Sequence, residues 1–405
     1  MQRISDPCFS GRRGSVRCAL LLLALIVLIF AAMCIGAGVD PCAYPYPSYL
    51  LQAQAWLRGE AQLDQNYEYL ELAVYQGRYY VSFPPVPSIP MVLYALIWGD
   101  DVPGGLFQKL YVAIACLVVL SELQRTRRMR PGDCAAWAIF LCFASAMLPI
   151  SLLGGVWYEA QILAFLFSVS AIAAMRRGRC TLSCLLYALS VGCRPFTVVL
   201  GPVLLMLHIE NMRARGASFR RGLVRLLPGL AVGLLMAAAY GAYNYARFGN
   251  PFEFGHNYLP EFTRSDHGQL SLAYVGQNWK TLFFGAPFTT HGATICLNQF
   301  GFSMFISCPI LLCNLVWLAK DLIRCRMTPA KWALLLMGTL NTFLLLMHRT
   351  LGGHQFGARY ALELVPLCFA WLLISPDRKK LTRWESVLMS FGLLFNFLGA
   401  CLVHI

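Results

Sequence analysis

The sequence predicts an all-α polytopic membrane protein of about eleven transmembrane helices, with a large first loop that carries two helices on the membrane surface. Hydrophobic residues make up 58% of the 405 residues and charged residues only 13%. Apolar runs long enough to cross a bilayer recur along the whole chain. The longest polar segments are 38–103 and 245–299. No stretch has the composition of a soluble domain, so we expect one transmembrane domain over residues 1–405.

The first apolar run, Cys18 to Ala37, follows four arginines within residues 1–17. A secretory signal peptide begins in the same way, but its apolar core is shorter than this run. We therefore expect the run to be retained as the first membrane span, with the signal peptide as the alternative.

Six clusters of basic residues determine the remaining spans, because they hold 24 of the 33 Lys and Arg. The clusters cover residues 1–17, 125–130, 176–179, 213–225, 320–331 and 378–383. If all six face the cytoplasm, the chain must cross outward and back between each neighbouring pair. The spans that follow are 18–37, 104–124, 134–153, 156–175, 180–193, 196–209, 226–245, 299–319, 332–348, 359–375 and 385–404. The outer face then keeps nine basic residues but twelve of the nineteen acids, and the N-terminus is cytoplasmic.

Two segments need separate treatment. Val86 to Trp98 is apolar but covers only about 13 residues, too short for a typical span, and counting it as one would invert the charge distribution. We expect it to lie on the outer surface, entered through the prolines at 84, 85, 87 and 90. Residues 180–209 are too long for one span, and Arg194-Pro195 would divide them at an outer turn.

Five stretches of the chain carry motifs. Asp40 stands just past the first span, and residues 47–64 and 71–99 would form two surface helices, the second with a proline-rich lead-in, SFPPVPSIP. The other three motifs are GGVWYEAQ (154–161), YNYARFGNPFEFGH (243–256) and GGHQFGARYALELVP (352–366). Together they resemble the GT-C class of polytopic glycosyltransferases, which includes protein O-mannosyltransferases and bacterial enzymes that take sugars from polyprenyl-phosphate carriers.

The resemblance implies an inverting hexosyl- or pentosyltransferase of the cell envelope. The chain lacks the WWD signature of oligosaccharyltransferases, and no large soluble domain follows the last span, so we expect transfer of a single sugar. The implied partners are a polyprenyl-phosphate sugar, membrane lipid, and a glycan, lipid or protein acceptor. The implied location is a bacterial plasma membrane, with the active site on its outer side.

The chemistry requires a proton acceptor for the attacking hydroxyl and cations for the departing phosphate. The resemblance puts Asp40 in the first role, with Glu159 as a second acid. The first candidates for binding the donor phosphate are Arg194, Arg247 and Arg359, and the next are Arg78 and His354.

Each candidate also has a structural interpretation. Asp40 could simply end a span, and Glu159 could favour the start of a helix through the helix dipole. Arg194 could only mark a turn, and Arg247 could snorkel from the end of its helix. Arg359 could pair with Glu363 four residues later on one helix face. Arg78 could be a solvated hairpin residue, and His354 could be an ordinary loop histidine.

No cofactor or protein-bound metal is expected, because the five histidines of the outer segments lack HxxxH or HExxH spacing. Cys42 and Cys296 both lie in outer segments, and whether they form a disulfide stays open. The net charge of +14 does not indicate nucleic acid, because the basic residues follow the spans. The main alternative function is a transporter or flippase of a lipid-linked sugar, and a third is a non-catalytic membrane partner.

Overall fold

The computed structural model describes residues 7–126, 129–291, 294–375, 377–378 and 380–402. Most of this part of the chain is helical, and the only strands in it form two isolated antiparallel hairpins. The first membrane-type helices are α1 (Pro7–Ala37), α4 (Gly104–Arg125), α5 (Pro131–Cys142), α6 (Met147–Ile150), α7 (Val156–Arg176) and α8 (Cys180–Val191).

The second half of the bundle begins with a 3₁₀ turn at Pro195–Val199 that runs into α9 (Leu200–Ala214). A second 3₁₀ turn, Arg359–Leu364, runs into α16 in the same way. The helices of this half are α9, α10 (Phe219–Phe248), α13 (Met304–Ser307), α14 (Ile310–Ile323), α15 (Pro329–Met347), α16 (Val365–Ile374) and α17 (Arg383–Leu402).

Sequence signals account for several helix ends. The Ser218 hydroxyl accepts from the Arg221 amide at the start of α10, and the Thr328 hydroxyl accepts from the Lys331 amide at the start of α15. Gly249 ends α10 with a φ of 67°, in the left-handed region where a side chain would be strained.

Each of the eleven predicted spans contains a helix. Seven helices of the described chain have the length and apolar composition that a membrane crossing requires. The other four predicted spans are short or broken: 134–153 is interrupted between α5 and α6, 180–193 contains only the short α8, 299–319 is split between α13 and α14, and 359–375 is partly 3₁₀. The number of spans therefore remains a prediction.

Helix α7 is the centre of the bundle. It packs against α8, α4, α9 and α16, and its apolar window is the most buried among the long helices that the structure describes. Glu159, Ala160 and Gln161, at its N-terminal end, are buried. The site described below forms around this end.

The first loop contains a helix in each stretch predicted as a surface helix, and these two helices pack on each other. They are shorter than predicted: α2 (Ser48–Leu57) covers part of 47–64, and α3 (Ser88–Trp98) covers only the end of 71–99. Between them lies a hairpin of β1 (Leu72–Tyr75) and β2 (Arg78–Val81). Gln76 and Gly77 form its turn, with φ values of 50° and 74°. Positive φ at both turn residues matches the twist of a two-residue hairpin.

The second loop is built from short pieces. They are a 3₁₀ turn at His256–Tyr258, α11 (Pro260–Thr263), a 3₁₀ turn at Leu272–Tyr274, α12 (Val275–Trp279), a π-helical turn at Lys280–Phe284, β3 (Phe288–His291) and β4 (Thr294–Leu297). Cys42 in the first loop and Cys296 in the second are both free thiols. We call the end of the bundle that carries residues 38–103 and 245–299 the loop face.

Candidate functional site

The two large loops are joined at the loop face by contacts to the backbone of the SFPP segment. Arg247, at the end of α10, donates from NH1 to the carbonyl oxygen of Val81 at 2.9 Å. His256 places its Nδ1 2.7 Å from the carbonyl oxygen of Ser82. The Phe248 ring packs against Tyr80 with a centroid distance of 5.2 Å. Residues that are far apart in the sequence therefore form one wall.

Behind this wall lies a cavity of about 210 Å³, which we call the central cavity. Four separate parts of the chain meet around it: the first loop, the start of α7, the α8–α9 turn and the second loop with the segment after α15. Its lining residues are Phe83, Pro84, Trp157, Ala160, Cys193, Arg194, Pro195, Phe196, Phe252, Glu253, Phe254, His256, Asn257, Gln269, Leu270, His348 and Tyr360. Most of them are aromatic or apolar.

Arg194 provides the positive charge of the central cavity. Its guanidinium NH2 lies 2.7 Å from Glu363 Oε1, and the guanidinium carbon lies 4.4 Å from the centroid of the Tyr360 ring. Burial alone would lower the pKa of Arg194, but Glu363 and Tyr360 raise it above the usual value. Arg194 is therefore charged at any physiological pH and keeps N–H donors for a ligand beside those that Glu363 takes.

Two histidines line the same cavity, and both are neutral near pH 7. Burial, opposed by the bond to the Ser82 carbonyl, lowers the pKa of His256 to about 4. Burial, together with His256 and Arg194, lowers the pKa of His348 to about 3. The His348 ring meets the Tyr360 ring edge-on at 5.4 Å. The cavity thus combines a fixed cation with uncharged imidazoles and aromatic faces.

Among the predicted phosphate ligands, Arg194 is the one that lines the central cavity. Arg359 does not line the central cavity. The guanidinium of Arg359 donates to the Gly352 carbonyl at 2.6 Å and contacts the Tyr360 ring. Arg247 is held between the rings of Tyr243 and Phe248 and is occupied by the Val81 carbonyl.

The two remaining predicted phosphate ligands are exposed. Arg78 stands at the turn of the first-loop hairpin. His354 is in hydrogen-bond contact, through Nε2, with Gln299 Oε1 at 3.2 Å, beside the Phe300 ring. Neither is among the residues around the central cavity.

The two predicted acids also lie outside the cavity lining. Glu159 is fully buried, and its Oε2 accepts a hydrogen bond of 2.7 Å from the Tyr44 hydroxyl. Burial and the Glu159 charge raise the pKa of Tyr44 well above its ordinary value, so that the phenol stays a donor. Asp40 is exposed, and its Oδ1 accepts from the amide of Cys42 at 2.9 Å within its own turn.

His256, His348, Tyr360 and Glu253 are among the cavity residues that the sequence analysis did not assign to a site. Three of them lie in two of the motifs: Glu253 and His256 in YNYARFGNPFEFGH, and Tyr360 in GGHQFGARYALELVP. The motifs therefore contained a signal for these residues, but only the arginines of the motifs were predicted as site residues. No group of three or more His, Cys, Asp or Glu with metal-binding geometry occurs within the described residues.

Comparison with protein-family models and with curated proteins gives no match. Three solved structures align with this chain. The oligosaccharyltransferase of Archaeoglobus fulgidus in its apo form aligns with a TM-score of 0.56 and 13% identity, over 95% of this chain and 56% of that one. This chain thus spans about half the length of that protein.

The other two structures align with TM-scores of 0.48. They are ArnT from Cupriavidus metallidurans bound to undecaprenyl phosphate (14% identity, 93% of this chain, 62% of that one) and the Archaeoglobus fulgidus oligosaccharyltransferase AglB with an inhibitory peptide and a dolichol-phosphate (13% identity, 95% and 55%). The alignment with the apo oligosaccharyltransferase rests on architecture, since so few residues are identical. On this evidence the chain shares the fold of that oligosaccharyltransferase, in agreement with the fold class predicted from the sequence.

Proposed function

We propose that this protein is a membrane glycosyltransferase that moves a single hexose or pentose from a polyprenyl-phosphate donor to a hydroxyl of a glycan, lipid or protein acceptor. The observation that carries the proposal is Arg194, a buried and permanently charged guanidinium that faces an aromatic cavity at the loop face. The fold shared with an oligosaccharyltransferase supports the same class of reaction.

Arg194 would bind the donor phosphate. Negative charge grows on the phosphate oxygen as the glycosidic bond breaks, and a guanidinium fixed before the reaction stabilises that charge through charge-assisted hydrogen bonds. Glu363 holds the guanidinium in place at 2.7 Å. Glu363 is not among the residues that line the cavity and takes only the Nε and NH2 donors of Arg194, so it orients the guanidinium and leaves NH1 for a ligand.

An apolar cavity of about 330 Å³ would take the first isoprene units of the donor. It lies between α14, α15 and α16 and includes Trp279, Phe283 and Leu364 in its lining. Leu364 directly follows Glu363, the partner of Arg194. No residue lines both cavities, so the prenyl chain of a donor whose phosphate binds Arg194 would pass Leu364 to reach the apolar cavity.

The central cavity suits one sugar ring. Its volume of about 210 Å³ is below the ~300–1,000 Å³ that is usual for drug-sized ligands. Aromatic rings such as those of Phe83 and Trp157, which line the cavity, offer apolar contact to the C–H face of a pyranose or furanose. We therefore favour a single sugar over a preassembled oligosaccharide.

Direct attack by the acceptor on the anomeric carbon would invert its configuration, and it requires a proton acceptor. The resemblance to GT-C enzymes assigns this role to Asp40, with Glu159 beside it. That assignment rests on the resemblance alone, because the Asp40 carboxylate is exposed in its own turn and Glu159 is buried against Tyr44. The proposal includes no cofactor and no bound metal.

The location we propose is a bacterial plasma membrane, with the N-terminus in the cytoplasm and the loop face outside. The basic clusters at the opposite end of the bundle support this orientation. Cysteine accessibility to a membrane-impermeant maleimide at Cys42, which is exposed in the first loop, would test it in intact cells.

The function is tested with purified protein in nanodiscs and a panel of radiolabelled monosaccharides linked to polyprenyl phosphate, with native membranes as the source of acceptor. We expect one donor to release polyprenyl phosphate and to label the acceptor. Passage of intact sugar-lipid across a bilayer without bond cleavage would favour the transporter alternative. Binding without either outcome would favour a non-catalytic partner.

A further inference from the structure

His256 is held in one tautomer by the first loop. Its Nδ1 lies 2.7 Å from the carbonyl oxygen of Ser82, and a carbonyl oxygen can only accept a hydrogen bond. The proton of the neutral ring must therefore be on Nδ1, which leaves a lone pair on Nε2. The ring is fixed further by edge-on contact with Phe83 at 5.1 Å and by stacking on Phe262 at 5.7 Å.

The lone pair of Nε2 is available to a ligand. His256 lines the central cavity, and Nε2 forms no hydrogen bond with any of the residues that the structure describes. Burial keeps the pKa of His256 at about 4, so that the lone pair is unprotonated at physiological pH. A ligand hydroxyl in the cavity would thus meet a fixed and unoccupied acceptor.

The two carboxylates at the central cavity already have hydrogen-bond partners. Glu253 accepts from the Gly255 amide at 2.6 Å and from Asn257 Nδ2 at 2.7 Å. Glu363, behind the lining, is paired with Arg194.

His348 has contacts on both ring nitrogens. Its Nδ1 accepts from the Thr350 amide at 3.3 Å, and its Nε2 lies 3.4 Å from the Gln269 side-chain nitrogen. The Nε2 of His256 is therefore the imidazole nitrogen of the cavity that has no hydrogen-bond partner among the residues that the structure describes.

We propose that His256 Nε2 takes the proton of the acceptor hydroxyl during glycosyl transfer, an inference that rests on the function proposed above. The acceptor oxygen forms a bond to the anomeric carbon as the bond from that carbon to the phosphate oxygen breaks. The electron pair leaves with the phosphate, which Arg194 binds, and the proton moves to Nε2. The resulting imidazolium then gives its proton to water.

The basicity of His256 fits such a late proton transfer. A pKa of about 4 is close to the ordinary pKa of a glutamic acid, about 4.3, and carboxylates are common bases for hydroxyl acceptors. The charged and titratable groups around His256 are Arg194, Glu253 and His348. Arg194 disfavours the imidazolium, which makes it return its proton quickly.

The test uses His256→Asn and His256→Ala, with His267→Asn as the matched control. Asparagine can keep the donation to the Ser82 carbonyl through Nδ2, but it has no group at the position of Nε2. His267 is exposed and contacts Tyr274 outside the cavity. The readouts are sugar transfer from the labelled donor to native membranes, binding of polyprenyl phosphate, and transfer by His256→Ala with added imidazole.

We expect kcat of His256→Asn to fall by about 10²–10⁴-fold, with donor KM and polyprenyl phosphate affinity close to those of the native protein. Added imidazole should restore part of the transfer in His256→Ala, because the vacated space admits the free base. A structural role would not give this rescue. Transfer by His256→Asn at the native rate, or by His256→Ala at a reduced rate that imidazole does not raise, would overturn the inference.

The same experiment separates this inference from the proposed function. If the native protein transfers sugar and the His256 variants do so equally well, only the assignment of the proton acceptor is wrong. If the native protein binds polyprenyl phosphate but never cleaves any donor of the panel, the glycosyltransferase function itself is wrong, and the inference is wrong with it.

Discussion

Arg194 and Glu363 form a buried ion pair that joins the turn after α8 to the 3₁₀ turn before α16. Both Nε and NH2 of Arg194 reach the same oxygen of Glu363, at 2.8 and 2.7 Å, and their side chains are only 14% and 4% exposed. Sequence spacing offered Arg359 as the partner of Glu363. The structure pairs Glu363 with Arg194 instead, which fixes the cation of the central cavity.

Arg194→Gln should lose transfer and also stability. Removing one partner of a buried ion pair leaves the other charge uncompensated and costs roughly 3–5 kcal/mol. The double variant Arg194→Gln/Glu363→Gln should regain most of this stability, because no charge remains, but it should still transfer no sugar. Thermal unfolding in detergent and the labelled-donor assay measure the two effects. A double variant that transfers sugar would show that Arg194 does not bind the phosphate.

The substitution Asp40→Asn distinguishes two assignments of the proton acceptor: Asp40, which the resemblance implies, and His256, which we infer from the structure. The carboxylate is exposed, and asparagine can still accept from the Cys42 amide, so we expect stability to be unchanged. With His256 as the proton acceptor, transfer should stay within roughly a factor of five of the native rate, about 1 kcal/mol in the barrier. A loss of two orders of magnitude or more would instead support Asp40 as the base.

The sequence was sufficient for the helices because hydrophobicity and charge are local properties. Residues 86–98 contain the short helix α3 (Ser88–Trp98), and their position on the membrane surface, inferred from the basic clusters, remains a prediction. The hairpin before α3 was predicted as part of the second surface helix, 71–99, and only the structural interpretation of Arg78 allowed for a hairpin there. The turn glycine Gly77 lies between two tyrosine-containing β-type runs. The helices thus followed from composition, whereas the hairpin between α2 and α3 could be predicted only by recognising its turn residues.

The site could be located at one end of the bundle but not resolved into side chains. Arg194, Arg247 and Arg359 are equivalent in the sequence, each near the end of a predicted span. They differ in the structure because Arg247 donates to the Val81 carbonyl and Arg359 donates to the Gly352 carbonyl. Backbone carbonyls occur at every residue, so no sequence pattern marks the ones that will bind an arginine. The same holds for the Ser82 carbonyl that orients His256.

Acidification should destabilise the protein through its two cavity histidines. Their pKa values of about 4 for His256 and about 3 for His348 lie below the usual 6.5, so the unfolded chain binds protons first. Their contribution to stability is complete above pH 6.5 and is lost as the pH falls toward 4. At pH 5 the loss is about 2 kcal/mol for each histidine.

The pH dependence of thermal unfolding between pH 7 and 5 measures this effect. His348→Gln should flatten the dependence by about half, since one of the two groups is removed. His267→Asn, which changes an exposed ring, should leave the dependence as it is. A curve for His348→Gln that parallels the native curve would mean that His348 is accessible to protons in the folded state.

Arg247→Met should uncouple the two loops without unfolding the bundle. Methionine keeps the apolar packing between Tyr243 and Phe248 but loses the donation to the Val81 carbonyl. The strand that ends at Val81 should then exchange its amide hydrogens faster, and transfer should fall by about tenfold, or ~1.4 kcal/mol, because Ser82 no longer holds His256 firmly. Hydrogen exchange by mass spectrometry resolves this segment, and the exposed Arg58→Gln provides the control. If exchange at residues 78–83 stays at the native rate while transfer falls, Arg247 must act on the substrate directly, as the sequence first suggested.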